Sequence, residues 1–191
     1  GGGIIDNEQE LEQFLQTFST IDGPKVLIHG GGKGASKMLN QLGIEPKMIE
    51  GRRITDQSTL DVVTGLYAGN INKTIVAKLQ KLGCNALGLS GADANAIKGS
   101  KRPVKTIDYG FVGDLTDESV NHDFFQLLID NTITPVVCAI THDGNGQLLN
   151  TNADTIASTI AVAMSQKNEV EKNFVFDKIG VLRDVNDDAT L

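Results

Sequence analysis

Residues 25–29 (KVLIH) form an apolar run that ends against three consecutive glycines, Gly30, Gly31 and Gly32, and a helical pattern follows at once. A strand that turns directly into a helix through glycines constrains the fold strongly, because the two elements must stack in adjacent layers. The helix runs through Met38 and Leu42, and Gly43 is placed to stop it. The same alternation continues along the chain. Residues 8–18 set Leu11, Phe14, Leu15 and Phe18 on one helical face. Thr55 and Asp56 stand where an N-cap belongs, ahead of a stripe of Leu60, Val63 and Leu66. Residues 70–82 are in helical phase through Ile71, Ile75, Val76 and Leu79 and end at Gly83.

Residues 84–90 (CNALGLS) and 135–140 (PVVCAI) read as buried strands, and residues 124–129 and 153–164 as helices. Residues 174–176 open one more strand. Two short β segments surround residues 109–113 as a hairpin outside the main sheet, and Asp143-Gly144-Asn145-Gly146 signals a second hairpin. Helix alternating with strand predicts an α/β layered domain on a largely parallel sheet.

Charge and composition exclude several functions. The formal net charge of the 191 residues is −7, and no basic stripe runs along any expected face, which argues against nucleic acid as a partner. No apolar run approaches the roughly 20 residues that cross a bilayer. The chain opens on Gly1, Gly2 and Gly3 and a polar helical pattern, with neither an initiator Met nor a signal peptide, so its natural start is expected upstream. Cys84 and Cys138 lie in apolar stretches without a CxxC or CxxH partner and read as buried free thiols of a reducing cytoplasm. Three histidines without metal-ligand spacing do not suggest zinc.

Four clusters carry potential chemistry. The His29-Gly30-Gly31-Gly32 corner lets backbone N–H groups approach an anion at a helix start, although tight turns also use glycine. Gly30, Gly32 and Ala35 satisfy a degenerate dinucleotide fingerprint, with Glu50 beyond; a P-loop is excluded because Gly34 follows Gly32-Lys33. Gly1-Gly2-Gly3 reads either as a second strand-to-helix corner or as a tag remnant. Arg52 and Arg53, just before a helix, suit a carboxylate held by two parallel N–H bonds, or a solvated surface. Residues 150–154 (NTNAD) put Asp154 in the first turn of a helix. There Asn150 or Asn152 is either a plain N-cap or part of a polar corner in which Asp154 orients lysines or metal. Lys98, Lys101, Arg102 and Lys105 are expected on a solvated face.

Gly1-Gly2, His29-Gly30-Gly31-Gly32, Gly51-Arg52-Arg53-Ile54-Thr55, Asn72-Lys73, residues 109–113 (YGFVG) and residues 150–154 (NTNAD) occur in this order over nearly the whole chain. This ordered set resembles the amino-acid kinase family, in its branch acting on N-acylated glutamate. The resemblance implies a three-layer αβα sandwich around a mostly parallel sheet, with a β-hairpin excursion. It implies transfer of the ATP γ-phosphoryl group, with Mg²⁺ carried by the nucleotide, to the side-chain carboxylate of N-acetyl-L-glutamate or another N-acyl-glutamate, an early step of arginine biosynthesis.

Gly31 and Gly32 would contact that substrate, Arg53 would hold its α-carboxylate, and Asn150 would reach it. Gly2 would offer an N–H to the transferring group, and Asp154 would organise two catalytic lysines. Gly1, Asp177, Gly180, Val181 and Leu182 would bind nucleotide, Lys178 and Ile179 departing from the usual small residues of that turn. Asn72, Tyr109 and Phe111 are candidates for shaping the acyl pocket. Residues 1–150 would form mainly the acyl-glutamate lobe and residues 151–191 the start of the nucleotide lobe of a single domain that the chain holds incompletely. The two phosphate-neutralising lysines would fall before Gly1 and after Leu191. A homodimer or higher homo-oligomer in the cytoplasm is implied as well. An acidic protein with this activity must concentrate cations around the nucleotide.

Overall fold

A computed structural model of the chain describes residues 2–175. Helix α1 (Gly2–Asp6) leads into α2 (Glu8–Ser19), which is capped by Asn7: its side chain accepts the N–H groups of Gln9 and Glu10. Strand β1 (Leu27–His29) passes through Gly30 and Gly31 into α3 (Gly32–Gln41). A two-residue ladder of β2 (Met48–Ile49) and β3 (Arg52–Arg53) follows. Helix α4 (Gln57–Thr64) begins at Asp56, which accepts the N–H of Thr59 at 2.8 Å. It continues without a break through a π-helical segment (Gly65–Ile71) into α5 (Asn72–Lys81).

The remainder alternates β4 (Ala86–Leu89), β5 (Ser100–Lys101), β6 (Val112–Asp114), α6 (His122–Asp130), β7 (Thr134–Cys138), β8 (Ile140–His142), β9 (Leu148–Thr151) and α7 (Ala153–Met164). Strands β1, β7 and β4 form a parallel sheet in that order. The period-two alternation of β7 divides its side chains between two cores. Val136 and Cys138 pack with Leu15, Leu60 and Leu79 from α2, α4 and α5. Val137 points the other way, against Phe125 of α6 and Ile156 and Ile160 of α7. Each fully buried Leu, Ile, Val or Phe contributes about 1.5–3 kcal/mol, so β7 ties both helical layers to one sheet. This is the expected three-layer α/β arrangement.

A second sheet, in the order β5-β6-β9-β8, is mixed: β6 and β9 run parallel, and the other pairs are antiparallel. It contains both expected hairpin signals. Arg102 pairs with Asp114 and Lys101 lies 4.9 Å from the Phe111 ring centroid, so two of the expected solvated cations have partners on this excursion.

Several expectations change. In the first glycine cluster Gly2 is the first residue of helix α1. The two helices expected around residues 55–66 and 70–82 are one rod joined by the π-helical segment, whose Tyr67 and Ile71 are buried. The run at 135–140 is divided at Ala139, where the chain leaves parallel pairing with β1 and β4 and enters antiparallel pairing with β9. Phe174 and Val175 lie in irregular backbone instead of a strand. Both cysteines are buried free thiols, as expected; burial pushes Cys138 up to about 11. No helix among the described residues is long and apolar enough to cross a membrane.

Helices α3, α5 and α6 end alike, with Ile44, Cys84 and Ile133 donating back to Leu39, Leu79 and Leu128 at 2.9, 3.0 and 2.9 Å. The left-handed residue is Gly43 (φ 72) or Gly83 (φ 78) in two of them but Thr132 (φ 58) in the third. A β-branched residue is strained there. Thr132→Gly is therefore expected to raise the unfolding free energy by about 0.5–1 kcal/mol after the entropy of the added glycine, and with it the urea midpoint. A lower midpoint would show that the threonine side chain contributes more than its strain removes.

Candidate active site

The glycine corner opens on a long cleft of about 1310 Å³ lined mainly by α1, α2, β1, α3, the β2–β3 ladder, α7 and residues 168–175. Gly31, Arg53, Asn150, Asp154 and Gly2 all line it, so five of the expected site residues face one space. Gly32 is the first residue of α3, where backbone N–H groups lack intrahelical partners. A side chain at Gly31 would have to displace the tip of Ile71. A Cβ there would lie 2.4 Å from Ile71 Cδ1 and 3.1 Å from Tyr67 Cε1, both on the π-helical segment.

Arg53 is buried although its chain is acidic. Its Nη2 donates to Ser36 Oγ of α3 at 2.9 Å, and its guanidinium also bonds to Tyr67, whose phenol is pushed up by burial against the opposing pull of that cation. Backbone bonds set its position. Thr55 Oγ1 donates to the Arg53 carbonyl at 3.0 Å and accepts from Asn150 Nδ2 at 3.1 Å. Thr55 also exchanges backbone bonds with Tyr109 and Phe111, at 2.9 and 2.7 Å. Asn150 on β9 is thus not a helix cap but the link between the second sheet and the arginine. The cap of α7 is Asn152, which accepts the N–H of Thr155 at 2.9 Å.

His29 ends β1 at the glycine corner, lines the cleft and is 5% exposed. Its Nδ1 is 3.0 Å from the Gly30 carbonyl and its Nε2 is 3.0 Å from Asn72 Nδ2. Two further neighbours fix the Asn72 amide. Nδ2 donates to the Val136 carbonyl at 2.9 Å, and Lys73 Nζ donates to Oδ1 at 3.1 Å. A carbonyl only accepts and an ammonium only donates, so Nδ2 is the NH₂ group. The imidazole Nε2 must then accept, and its single proton sits on Nδ1, donated to Gly30. Burial, with a smaller contribution from the Lys73 cation, pulls this histidine down to about 4 against the Gly30 bond.

Asp154 is exposed in the first turn of α7, where a carboxylate is favoured by the helix dipole. Lys25, Lys33, Arg52 and Lys172 also line the cleft, with Glu169 and Glu171 among them, so cations outnumber carboxylates here within a chain of net charge −7. Asn72, Tyr109 and Phe111, expected to shape an acyl pocket, do not line it: Asn72 is fully buried beneath the sheet, and residues 109–111 hold Thr55 from behind. Gly1, Asp177, Gly180, Val181 and Leu182 lie outside the described residues. Sequence patterns alone do not single out the imidazole of His29. The signal that could have found it is a histidine closing a strand immediately before glycines.

His29 stays neutral in the folded protein down to about pH 4 but takes a proton near 6.5 when unfolded. Between these values the unfolded state binds the extra proton. The stability contributed by neutral burial is therefore complete above pH 6.5 and is lost as pH falls towards 4, by at most about 3 kcal/mol. His29→Asn is expected to flatten this part of the stability profile, measured by chemical denaturation across that range. Profiles that run parallel for the two proteins would contradict the assignment.

Residues 1–171 match the model of the amino acid kinase family. The chain is 55% identical over all 191 residues to a protein named acetylglutamate kinase from Phocaeicola vulgatus, covering 74% of it. It is 54% identical, at the same coverage of both chains, to the protein of that name from Parabacteroides distasonis. Among solved structures, smu.665 from Streptococcus mutans UA159 superposes with a TM-score of 0.71 at 23% identity, over 86% of this chain and 66% of that one, which reports on the fold alone. The glycine corner, the buried arginine and the NTNAD segment around one cleft are therefore read within a known lineage: the chain belongs to the amino acid kinase family.

Proposed function

We propose that this protein transfers the γ-phosphoryl group of ATP to the side-chain carboxylate of N-acetyl-L-glutamate, giving an acyl phosphate and ADP. The observation that carries the reading is the buried Arg53, held by Ser36, Tyr67 and the Thr55–Asn150 link at the wall of the cleft that Gly31 also lines. A planar guanidinium fixed in this way suits an α-carboxylate. The name shared by relatives 53–55% identical supports the same substrate.

In this reading Arg53 binds the α-carboxylate, Gly31 and Gly32 offer N–H groups to the substrate, and Asn150 contacts it from β9. Residues 1–150 form mainly the acyl-glutamate lobe, and residues 151–191 begin the nucleotide lobe. Gly2 donates an N–H to the transferring group, Asp154 orients cationic side chains on the phosphates, and Gly1, Asp177, Gly180, Val181 and Leu182 contact the nucleotide, which brings Mg²⁺ with it.

The chemistry needs no general base. A glutamate side chain titrates near about 4.3 and is already ionised at neutral pH. One carboxylate oxygen forms a bond to the γ-phosphorus as the bond from phosphorus to the β,γ-bridging oxygen breaks, and that electron pair leaves on ADP. No proton moves. The obstacle is repulsion between nucleophile and triphosphate: at 4 Å and an effective dielectric of 20, each pair of unit charges costs about 4 kcal/mol. Positioning and neutralisation by backbone N–H groups and cations are the protein's contribution.

With ATP and Mg²⁺, the full-length protein should form ADP in the presence of N-acetyl-L-glutamate but not of free glutamate; N-succinyl-L-glutamate tests the acyl specificity. Turnover with free glutamate alone, or with none of the three, would overturn the reading. Arg53→Lys keeps the charge but loses the planar fork. It should raise KM for the acyl-glutamate roughly ten- to a hundredfold while leaving KM for ATP within about twofold. Equal effects on both substrates would place Arg53 outside the acyl-glutamate site.

A further inference from the structure

The imidazole of His29 does more than fill the core. In a trans peptide the C=O and the following N–H point in opposite directions across one rigid plane. The Gly30 carbonyl is held by the imidazole, so the plane of the Gly30–Gly31 peptide is set by a side chain, between two residues whose backbones are otherwise permissive. The imidazole is itself held in one tautomer by Asn72, the first residue of α5. Asn72 is fixed in turn by the Val136 carbonyl at 2.9 Å and by Lys73, whose Nζ also donates to the Gly88 carbonyl at 3.1 Å. Gly88 leaves the room for this: a Cβ there would sit 2.0 Å from Asn72 Oδ1. The relay therefore reaches β4, β7 and β1 before it ends at the glycine corner.

We infer that His29 is a positioning residue: through its Nδ1–H it holds the Gly30–Gly31 peptide so that the Gly31 N–H is presented to the acyl-glutamate in the cleft. The inference rests on the proposed substrate. It assigns His29 no proton transfer. Its tautomer, rather than its charge, is the operative property, and Asn72 selects that tautomer. With the other tautomer, an Nδ1 lone pair would face the carbonyl oxygen and repel it, freeing the peptide to rotate.

Two substitutions separate this role from general packing. In His29→Asn the side-chain amide nitrogen can occupy the position of Nδ1 and still donate to Gly30, but the contact at Nε2 is lost. In His29→Gln the amide reaches the Nε2 position towards Asn72, and the donor to Gly30 is lost. Binding of N-acetyl-L-glutamate and of ATP to the full-length protein would be measured by calorimetry. His29→Asn should weaken N-acetyl-L-glutamate binding by no more than about threefold and His29→Gln by about tenfold or more, the latter corresponding to loss of one oriented hydrogen bond. ATP binding should stay within about twofold in both.

Equal weakening in the two variants, or unaltered binding in His29→Gln, would overturn the inference. Should a variant fail to fold, the nitrogen-15 shifts of His29 in the unmodified protein decide the matter: a proton on Nδ1 supports the relay and a proton on Nε2 refutes it. If the unmodified protein turns over or binds no N-acetyl-L-glutamate, the substrate reading falls first and the positioning role of His29 falls with it.

Discussion

The Asn72 side-chain amide is the junction on which the active-site side of this structure depends. It is fully buried at the start of a helix, beneath a parallel sheet, and all of its interactions with neighbours are directional. An unsatisfied amide in that position would cost several kcal/mol, so the groups around it are not interchangeable. Val136 fixes the helix against the central strand, Lys73 fixes it against the edge strand β4, and His29 carries the restraint to the glycine corner. The π-helical segment completes the arrangement. By placing Tyr67 and Ile71 against Gly31, the wide turn crowds any side chain at that position.

Arg53 approaches the same cleft from a separate two-stranded ladder. Its ladder, β2–β3, is only two residues per strand and cannot hold a buried cation by itself. The support comes from Thr55, which is clamped by backbone bonds to Tyr109 and Phe111 and by Asn150 of β9. The excursion outside the main sheet is therefore a brace. Two systems meet at one space: a sheet-and-helix layer that carries backbone donors, and a two-stranded ladder that carries a guanidinium and is braced by the mixed sheet. A reaction limited by charge repulsion rather than by proton transfer is served by such an arrangement, because donors that are already oriented do not have to reorganise.

The parallel core was legible in the sequence because its signals are local. KVLIH into glycine, the apolar stripes of α2, α4 and α5, and the stops at Gly43 and Gly83 each declare an element within a few residues. The rod from Gln57 to Lys81 was not, because a π-helical segment shifts the 3.6-residue phase and its Gly65 and Gly69 look like a gap between helices. The turn at Ala139 was hidden for a related reason, as a continuous apolar run gives no sign of where it changes partners. Within the site, Arg53, Asn150 and Gly31 were found through motif order, and the cleft brings them together with Asp154 and Gly2. Asn72 was expected to help shape an acyl pocket, whereas it is buried and orients a histidine 43 residues away in sequence. Buried polar pairs of such long range leave no periodic trace.

The central claim is that this cleft activates a carboxylate as the acceptor of a phosphoryl group. Hydroxylamine converts an acyl phosphate to a hydroxamate and leaves ordinary phosphate esters untouched, so it reads the product bond directly. The full-length protein, supplied with ATP, Mg²⁺, N-acetyl-L-glutamate and hydroxylamine, should yield the side-chain hydroxamate of N-acetylglutamate in step with ADP. ADP and free phosphate accumulating without hydroxamate would mean that water, rather than the carboxylate, accepts the phosphoryl group, and the claim would be wrong.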